Sequence, residues 1–193
     1  KNKLYVMTAL HYVLDKVPSR TLGYPRNESK NERVNSFTQF DYIISPRQVL
    51  QASLHFNPEH INYVKPDFFN PQPTTPSYAQ RAYEASMAHH LGLWGGVLDS
   101  SIAYQHFHTF IGSQGTAEMI IRPQGMAGNY FGVQSRNAYR REWLEIWSPR
   151  PLTAVGVHQF KFGSSFTVLN DRGLFSFQPV QIRDYGGKLL ERI

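Results

Sequence analysis

Apolar and polar residues alternate along most of this chain, in stretches near 3–14, 34–44, 48–56, 78–89, 97–108, 136–147 and 155–169. Alternation with a period of two marks strands with two unlike faces. In 48–56, Leu50, Ala52, Leu54 and Phe56 oppose Gln51, Ser53 and His55. In 34–44, Ser36, Thr38, Phe40, Tyr42 and Ile44 oppose Asn35, Phe37, Gln39 and Asp41. In 97–108, Leu98, Ser100, Ile102 and Tyr104 oppose Asp99, Ser101, Ala103 and Gln105. In 155–169, Phe160, Phe162, Phe166 and Val168 share one face, with Ser164 between them. Around 140–145 the stretch Arg140-Arg141-Glu142-Trp143-Leu144-Glu145 is charged on both faces. Several strands reach about 9–13 residues, whereas soluble strands average about 5–6 and a tilted bilayer-crossing strand needs about 9–11.

The connections alternate in length: long at 15–33, 57–77 and 109–135, short at 45–47, 90–96 and 148–154. Tight turns on one side and long loops on the other define an up-and-down membrane barrel wall. The pattern predicts an all-β chain: an antiparallel up-and-down transmembrane β-barrel segment of about eight long strands with alternating short turns and long loops. Ser45-Pro46-Arg47 and Ser148-Pro149-Arg150-Pro151 use proline to stop the ladder. Leu91-Gly92-Leu93-Trp94-Gly95-Gly96 supplies turn glycines, with Trp94 where an interfacial aromatic would lie. The segment Ser77–Leu91 is rich in alanine and admits a helix as the alternative to a strand. Loops longer than about 15 residues are usually functional or disordered; in a barrel these would be extracellular. Their aromatics, Tyr63, Phe68, Phe69, Tyr130 and Phe131, would either stack on a ligand or pack the loops onto each other.

Composition narrows the class. Aromatics are 14% of the 193 residues, which excludes a disordered chain. No cysteine is present, so there is no disulfide or thiolate metal site. The net charge of +6 comes from scattered basic residues with no binding motif, and nucleic acid is not expected as a partner. No stretch approaches the roughly 20 apolar residues of a membrane helix. Lys1-Asn2-Lys3 leads straight into Leu4-Tyr5-Val6-Met7 without a signal peptide, and both ends read as cut from something longer.

Candidate chemistry is sparse. His89 and His90 are adjacent and point to opposite faces of a strand, while His106 and His108 share a face but lack a third ligand nearby. Glu142 and Glu145, three apart, fall on opposite faces. No nucleophile elbow, phosphate loop, dinucleotide fingerprint or zinc-protease motif occurs. The reading is therefore of a non-enzyme with no cofactor, no catalytic or metal residues, and ligand-contact residues unknown.

Two patterns resemble a family. Ser36-Phe37-Thr38-Gln39-Phe40-Asp41-Tyr42 followed by Ser45-Pro46-Arg47-Gln48, and Gly156-Val157-His158-Gln159-Phe160-Lys161-Phe162-Gly163, are similar to strand–turn–strand segments of TonB-dependent outer-membrane receptors. Phe69-Asn70-Pro71-Gln72-Pro73, leading to Tyr78 and Gln80-Arg81, is similar as well, in the manner of the receptors with a carboxypeptidase-regulatory-like N-terminal domain. The resemblance spans about 34–190. It implies that residues 1–193 are a partial barrel of about 22 strands in all, the size of plugged outer-membrane transporters. It also implies location in the outer membrane of a Gram-negative bacterium, with lipid around the wall. A small-molecule or oligosaccharide ligand would be imported with energy passed from the TonB complex through N-terminal parts not in this chain. The plug domain, the TonB box and a C-terminal strand ending in an aromatic residue are absent from the sequence as read. The rival expectation is a soluble carbohydrate-binding β-sandwich module, which would show shorter strands and an apolar face buried between two sheets.

Overall fold

The computed structural model describes residues 3–193. Lys1 and Asn2, the start of the N-terminal run read above, lie outside the described residues. The elements in chain order are β1 (Leu4–Pro18), β2 (Glu28–Ser45), β3 (Gln48–Phe56), β4 (Glu59–Asn62), a 3-10 turn (Gln72–Thr74), β5 (Ser77–Leu93), β6 (Gly96–Gly112), β7 (Met119–Arg122), β8 (Gly125–Ala127), β9 (Gly132–Ser148), β10 (Leu152–Ala154), β11 (Gly156–His158), β12 (Phe162–Phe177), β13 (Val180–Arg183) and β14 (Leu189–Arg192).

Eight of these strands form one antiparallel sheet, in the order β1-β2-β3-β5-β6-β9-β12, with β4 pairing β2 and β5. Strands β3 and β4 share a single lane, interrupted at Asn57-Pro58, where proline has no N–H to give the ladder. The lane stays stitched across the break: Asn57 N–H donates to the Ala82 carbonyl at 2.8 Å and Val34 N–H to the Pro58 carbonyl at 3.0 Å. The other six strands run 15–18 residues, longer than the alternation predicts, because their polar ends keep pairing after the apolar pattern has faded.

Two hairpins turn in two residues. Pro46-Arg47 joins β2 to β3, and the Ser45 hydroxyl accepts from the Arg47 N–H at 3.2 Å. Trp94-Gly95 joins β5 to β6 with φ of 50° and 77°, the left-handed pair that matches the twist of a hairpin. The third short connection differs from expectation. Residues 149–161 hold a small hairpin, β10–β11, so the long strand begins at Phe162 rather than near 155. The alanine-rich segment is strand β5, paired on both sides along its length; neighbours on both flanks override its helix propensity.

Register aligns side chains into rows across the wall. One face carries Leu54, Ala85 and Tyr104, then Ala52, Met87, Ile102, Trp143 and Phe166. The other carries Ser53, Ser86 and Ala103, then Gln51, Ala88 and Ser101. The apolar face is the exposed one: Leu54 is 52% accessible, Ile102 48% and Phe166 64%. Met119, in a loop strand, is the buried hydrophobic residue among those described, and no side chain there is fully buried. A sandwich requires a second sheet over the apolar face. No second sheet covers this one among the described residues, so the soluble-sandwich alternative is not favoured.

A second sheet of four strands, β14-β13-β7-β8, gathers at the long-loop end. There β13 runs parallel to β7, bringing the last residues of the chain onto a hairpin some 60 positions earlier. Gly128 ends that hairpin at φ +80°, and a Cβ built there would lie 1.9 Å from the Glu118 carbonyl oxygen. Gly128→Ala is expected to destabilise this loop sheet by about 1–3 kcal/mol, leaving the main sheet intact. Limited proteolysis should then cut within 113–131 faster than in wild type, with the strands of the main sheet still protected.

Candidate functional site

The polar face presents one row of chemically diverse side chains: Phe37, His55, Glu84, Gln105, Arg140 and Leu169, in register from β2 to β12. Phe37 and His55 pack with ring centroids 4.6 Å apart. Arg140 is held by Glu142, two residues along the same face, at 2.8 Å. Among the described residues, Glu84 has neither an ion-pair partner nor a side-chain hydrogen-bond partner. The next row toward the long loops is small on both sides of Phe107, with Ala82 and Ala138 as its neighbours. Small residues beside long ones leave a recess of about 380 Å³ between the two rows. Toward the short turns the face flattens: Ser53 and Ser86 share a hydrogen bond of 2.7 Å beside Ala103. In the same row Gln39 donates to Asp41 of the next row at 3.0 Å, and nearer the turns His90 Nδ1 lies 2.5 Å from Asp99. The recess offers an acceptor, an amide, an imidazole and a guanidinium over an apolar floor. That arrangement suits binding a polar molecule in passing.

The exposed face has its own order. Phe56, Tyr83, His106 and Tyr139 align in one row toward the long loops, with Tyr83 and His106 rings 4.7 Å apart. Leu91, Leu98, Trp147 and Phe162 align in a second row toward the short turns, with Trp147 and Phe162 stacked at 5.8 Å. Tyr139 and Trp147 are eight residues apart on β9. At roughly 3.3 Å per residue and the tilt of about 40° usual in barrels, the two rows would be about 20 Å apart along a barrel axis, near the height of the apolar band of outer-membrane barrels. Beyond the upper row the same face turns polar, with Arg81, His108, Asn137 and Arg172 in one row. Inside the band, Arg141 reaches back over the Tyr139 ring, 5.5 Å from its centroid. The charged 140–145 stretch is thus divided by parity: Arg140 and Glu142 face the polar side, Arg141 and Glu145 the other.

The long loops are tied together. Met126 N–H donates to the Phe69 carbonyl at 2.7 Å and Tyr130 N–H to Pro73 at 3.0 Å, while the Gln72 amide donates to the Glu28 carbonyl at 2.8 Å. Glu118 accepts from the Arg192 guanidinium and from Gln181, fastening the loop sheet. Met119, Met126, Phe131, Phe177 and Val180 line an open apolar recess of about 540 Å³ beside it.

The singled-out residues fall as follows. His89 and His90 do lie on opposite faces, His89 against the Gln48 amide and His90 against Asp99. His106 and His108 share a face but meet Asn137 and Ser135. Among the described residues no three His, Asp or Glu side chains gather as a metal site requires. Glu142 and Glu145 are separated by the sheet. Phe131 packs on Phe177 at 5.9 Å, whereas Phe68 and Phe69 meet edge to face and stay 60% and 56% exposed. The row His55, Glu84, Gln105 and Arg140 was not singled out from sequence. Parity put each residue on a polar face, but only register brings them side by side.

No family model matches the chain, and no curated protein matches it. Among solved structures, the outer membrane transporter YddB from Escherichia coli is similar, with a TM-score of 0.74 at 12% identity. The alignment covers 98% of this chain and 27% of that transporter. The all-β antiparallel sheet is therefore similar in fold to that transporter, over about a quarter of the transporter's length.

The Glu118 clamp carries a pH signature. Arg192, then Gln181, hold its carboxyl below the ordinary value of about 4.5. A depressed carboxyl stabilises the loop sheet above its ordinary value, and that contribution disappears as pH falls through the lowered one. Hydrogen exchange of residues 119–127 and 180–192 should accelerate below about pH 4.5. Glu118→Gln should show the faster exchange already at neutral pH, with little further change on acidification.

Proposed function

We propose that this chain is part of the wall of an outer-membrane transporter barrel, with its polar face lining the passage of a ligand and its aromatic-bounded face in lipid. The observation that carries this reading is the pair of aromatic-bearing rows in register, spaced close to the apolar band of a barrel, on a face that no other described segment covers. The likeness to an outer membrane transporter supports it. In water, so much exposed apolar surface would be an aggregation hazard; against acyl chains it is the expected solvent-facing surface.

The sequence resemblance supports the finer reading: a TonB-dependent receptor of a Gram-negative bacterium, importing a small molecule or oligosaccharide with TonB-derived energy. The ligand would enter through the tied long loops and pass the recess at His55, Glu84, Gln105 and Arg140. The role is binding and passage, without catalysis.

Fractionation tests the location. The protein should sediment with outer membranes and resist extraction by salt and carbonate; recovery as a soluble monomer without detergent would overturn the reading. Ile102→Arg, in the apolar band, should destabilise the inserted barrel by up to about 2–4 kcal/mol in denaturant titrations in bilayers, while Ala103→Arg, one residue along on the polar face, should cost much less. Ala138→Trp should fill the recess. Uptake, measured by comparing nutrient depletion with that of a strain lacking the gene, should fall about ten-fold or more with the outer-membrane level of the protein unchanged. Undiminished uptake would remove the recess from the path.

A further inference from the structure

One row breaks the apolar band. His89, Ser100, Glu145 and Ser164 align in register across β5, β6, β9 and β12, on the same face as Met87, Ile102, Trp143 and Phe166. The row lies two residues inside the lower aromatic row, about 5 Å deeper into the bilayer at the same rise and tilt. It is a polar slot between two greasy rows, with Trp147 and Phe162 on the turn side and Trp143 and Phe166 on the other.

Glu145 is the unresolved charge in this slot. Its carboxylate accepts one hydrogen bond, from the Ser100 hydroxyl at 2.8 Å, and no cationic group lies within ion-pair distance among the described residues. His89 is turned to the Gln48 amide at 2.9 Å. Arg141, the other charge between the two bounding rows on this face among the described residues of β5, β6, β9 and β12, is directed to the Tyr139 ring. A carboxylate facing lipid with a single hydroxyl for company is costly unless a cation meets it. The Trp147 indole N–H, two residues along the same face, also lacks a partner and is covered in this arrangement.

Resting on the membrane reading above, we propose that this row binds the headgroup of an amine-bearing phospholipid, the ammonium paired with Glu145. Charge complementarity selects the occupant. The slot needs a cation that arrives at the lower interface attached to acyl chains able to lie along Met87, Ile102, Trp143 and Phe166. A zwitterionic headgroup adds a phosphate, which takes the Trp147 N–H once that ring turns outward.

The test extracts the full-length protein from its native membrane in a styrene–maleic acid copolymer and measures the co-extracted lipids by mass spectrometry. Wild type should carry phosphatidylethanolamine over phosphatidylglycerol in excess of the bulk membrane ratio. Glu145→Gln should reduce that excess about five-fold, the scale of one partly solvated charge-assisted hydrogen bond. Glu142→Gln, on the opposite face, should leave it unchanged. An inserted wild type carrying lipids in the bulk ratio, an unchanged excess in Glu145→Gln, or a second polypeptide over the row in place of lipid would each overturn the proposal. A protein that never enters the membrane would overturn the transporter reading beneath it as well, so the two failures are distinguishable.

Discussion

The antiparallel ladder, kept in register from β1 to β12, is what every other feature of this chain depends on. On the transporter reading proposed above the wall stands in lipid, where no water satisfies stray backbone groups, so each N–H and carbonyl must be paired within the sheet. That demand makes the strands long, since pairing has to continue across the whole apolar band. It also makes side chains act as rows, because a residue on one strand meets a fixed residue on the next. The break at Asn57-Pro58 shows how strict the demand is: the lane loses a donor to proline, and β4 resumes the pairing a residue later.

Rows are the unit in which this wall does its work. Two aromatic rows bound the outer face, a polar row interrupts it, and a mixed row with a recess beside it marks the inner face. None depends on a packed core; the single buried hydrophobic residue among those described sits in the loops. Stability in such a wall comes from hydrogen bonds along the ladder and from cross-strand pairs such as Ser53 with Ser86 and Trp147 with Phe162. On the transporter reading, apolar burial is supplied by the surrounding lipid instead of by a second layer.

The loops obey different physics. They bury polar groups on each other, as Gln72 does on the Glu28 carbonyl, and they line an open apolar recess around Met119. Glu118 fastens two distant parts of the chain through charge-assisted hydrogen bonds that a change of protonation would weaken. The ladder fixes the wall, and the loops are held to each other by a few polar contacts of their own.

The sequence by itself determined the class of fold. Alternation in 48–56 and 97–108 separates the two faces correctly, because side-chain parity along a strand is local and needs no partner. Parity likewise separated His89 from His90 and Glu142 from Glu145. The strand ends were less legible, since β2 begins at Glu28 and β9 at Gly132 among polar residues that carry no alternation signal. The small hairpin in 149–161 was hidden because its short strands obey the same alternation as the long strand after it. Only the tertiary structure decided which residues meet. Glu84 stands beside His55 and Gln105, and Glu145 beside Ser100, through register between strands up to 45 positions apart. Register is set by the turns and by both neighbours of every strand together. It is a property of the assembled sheet and is written in no single segment of the chain.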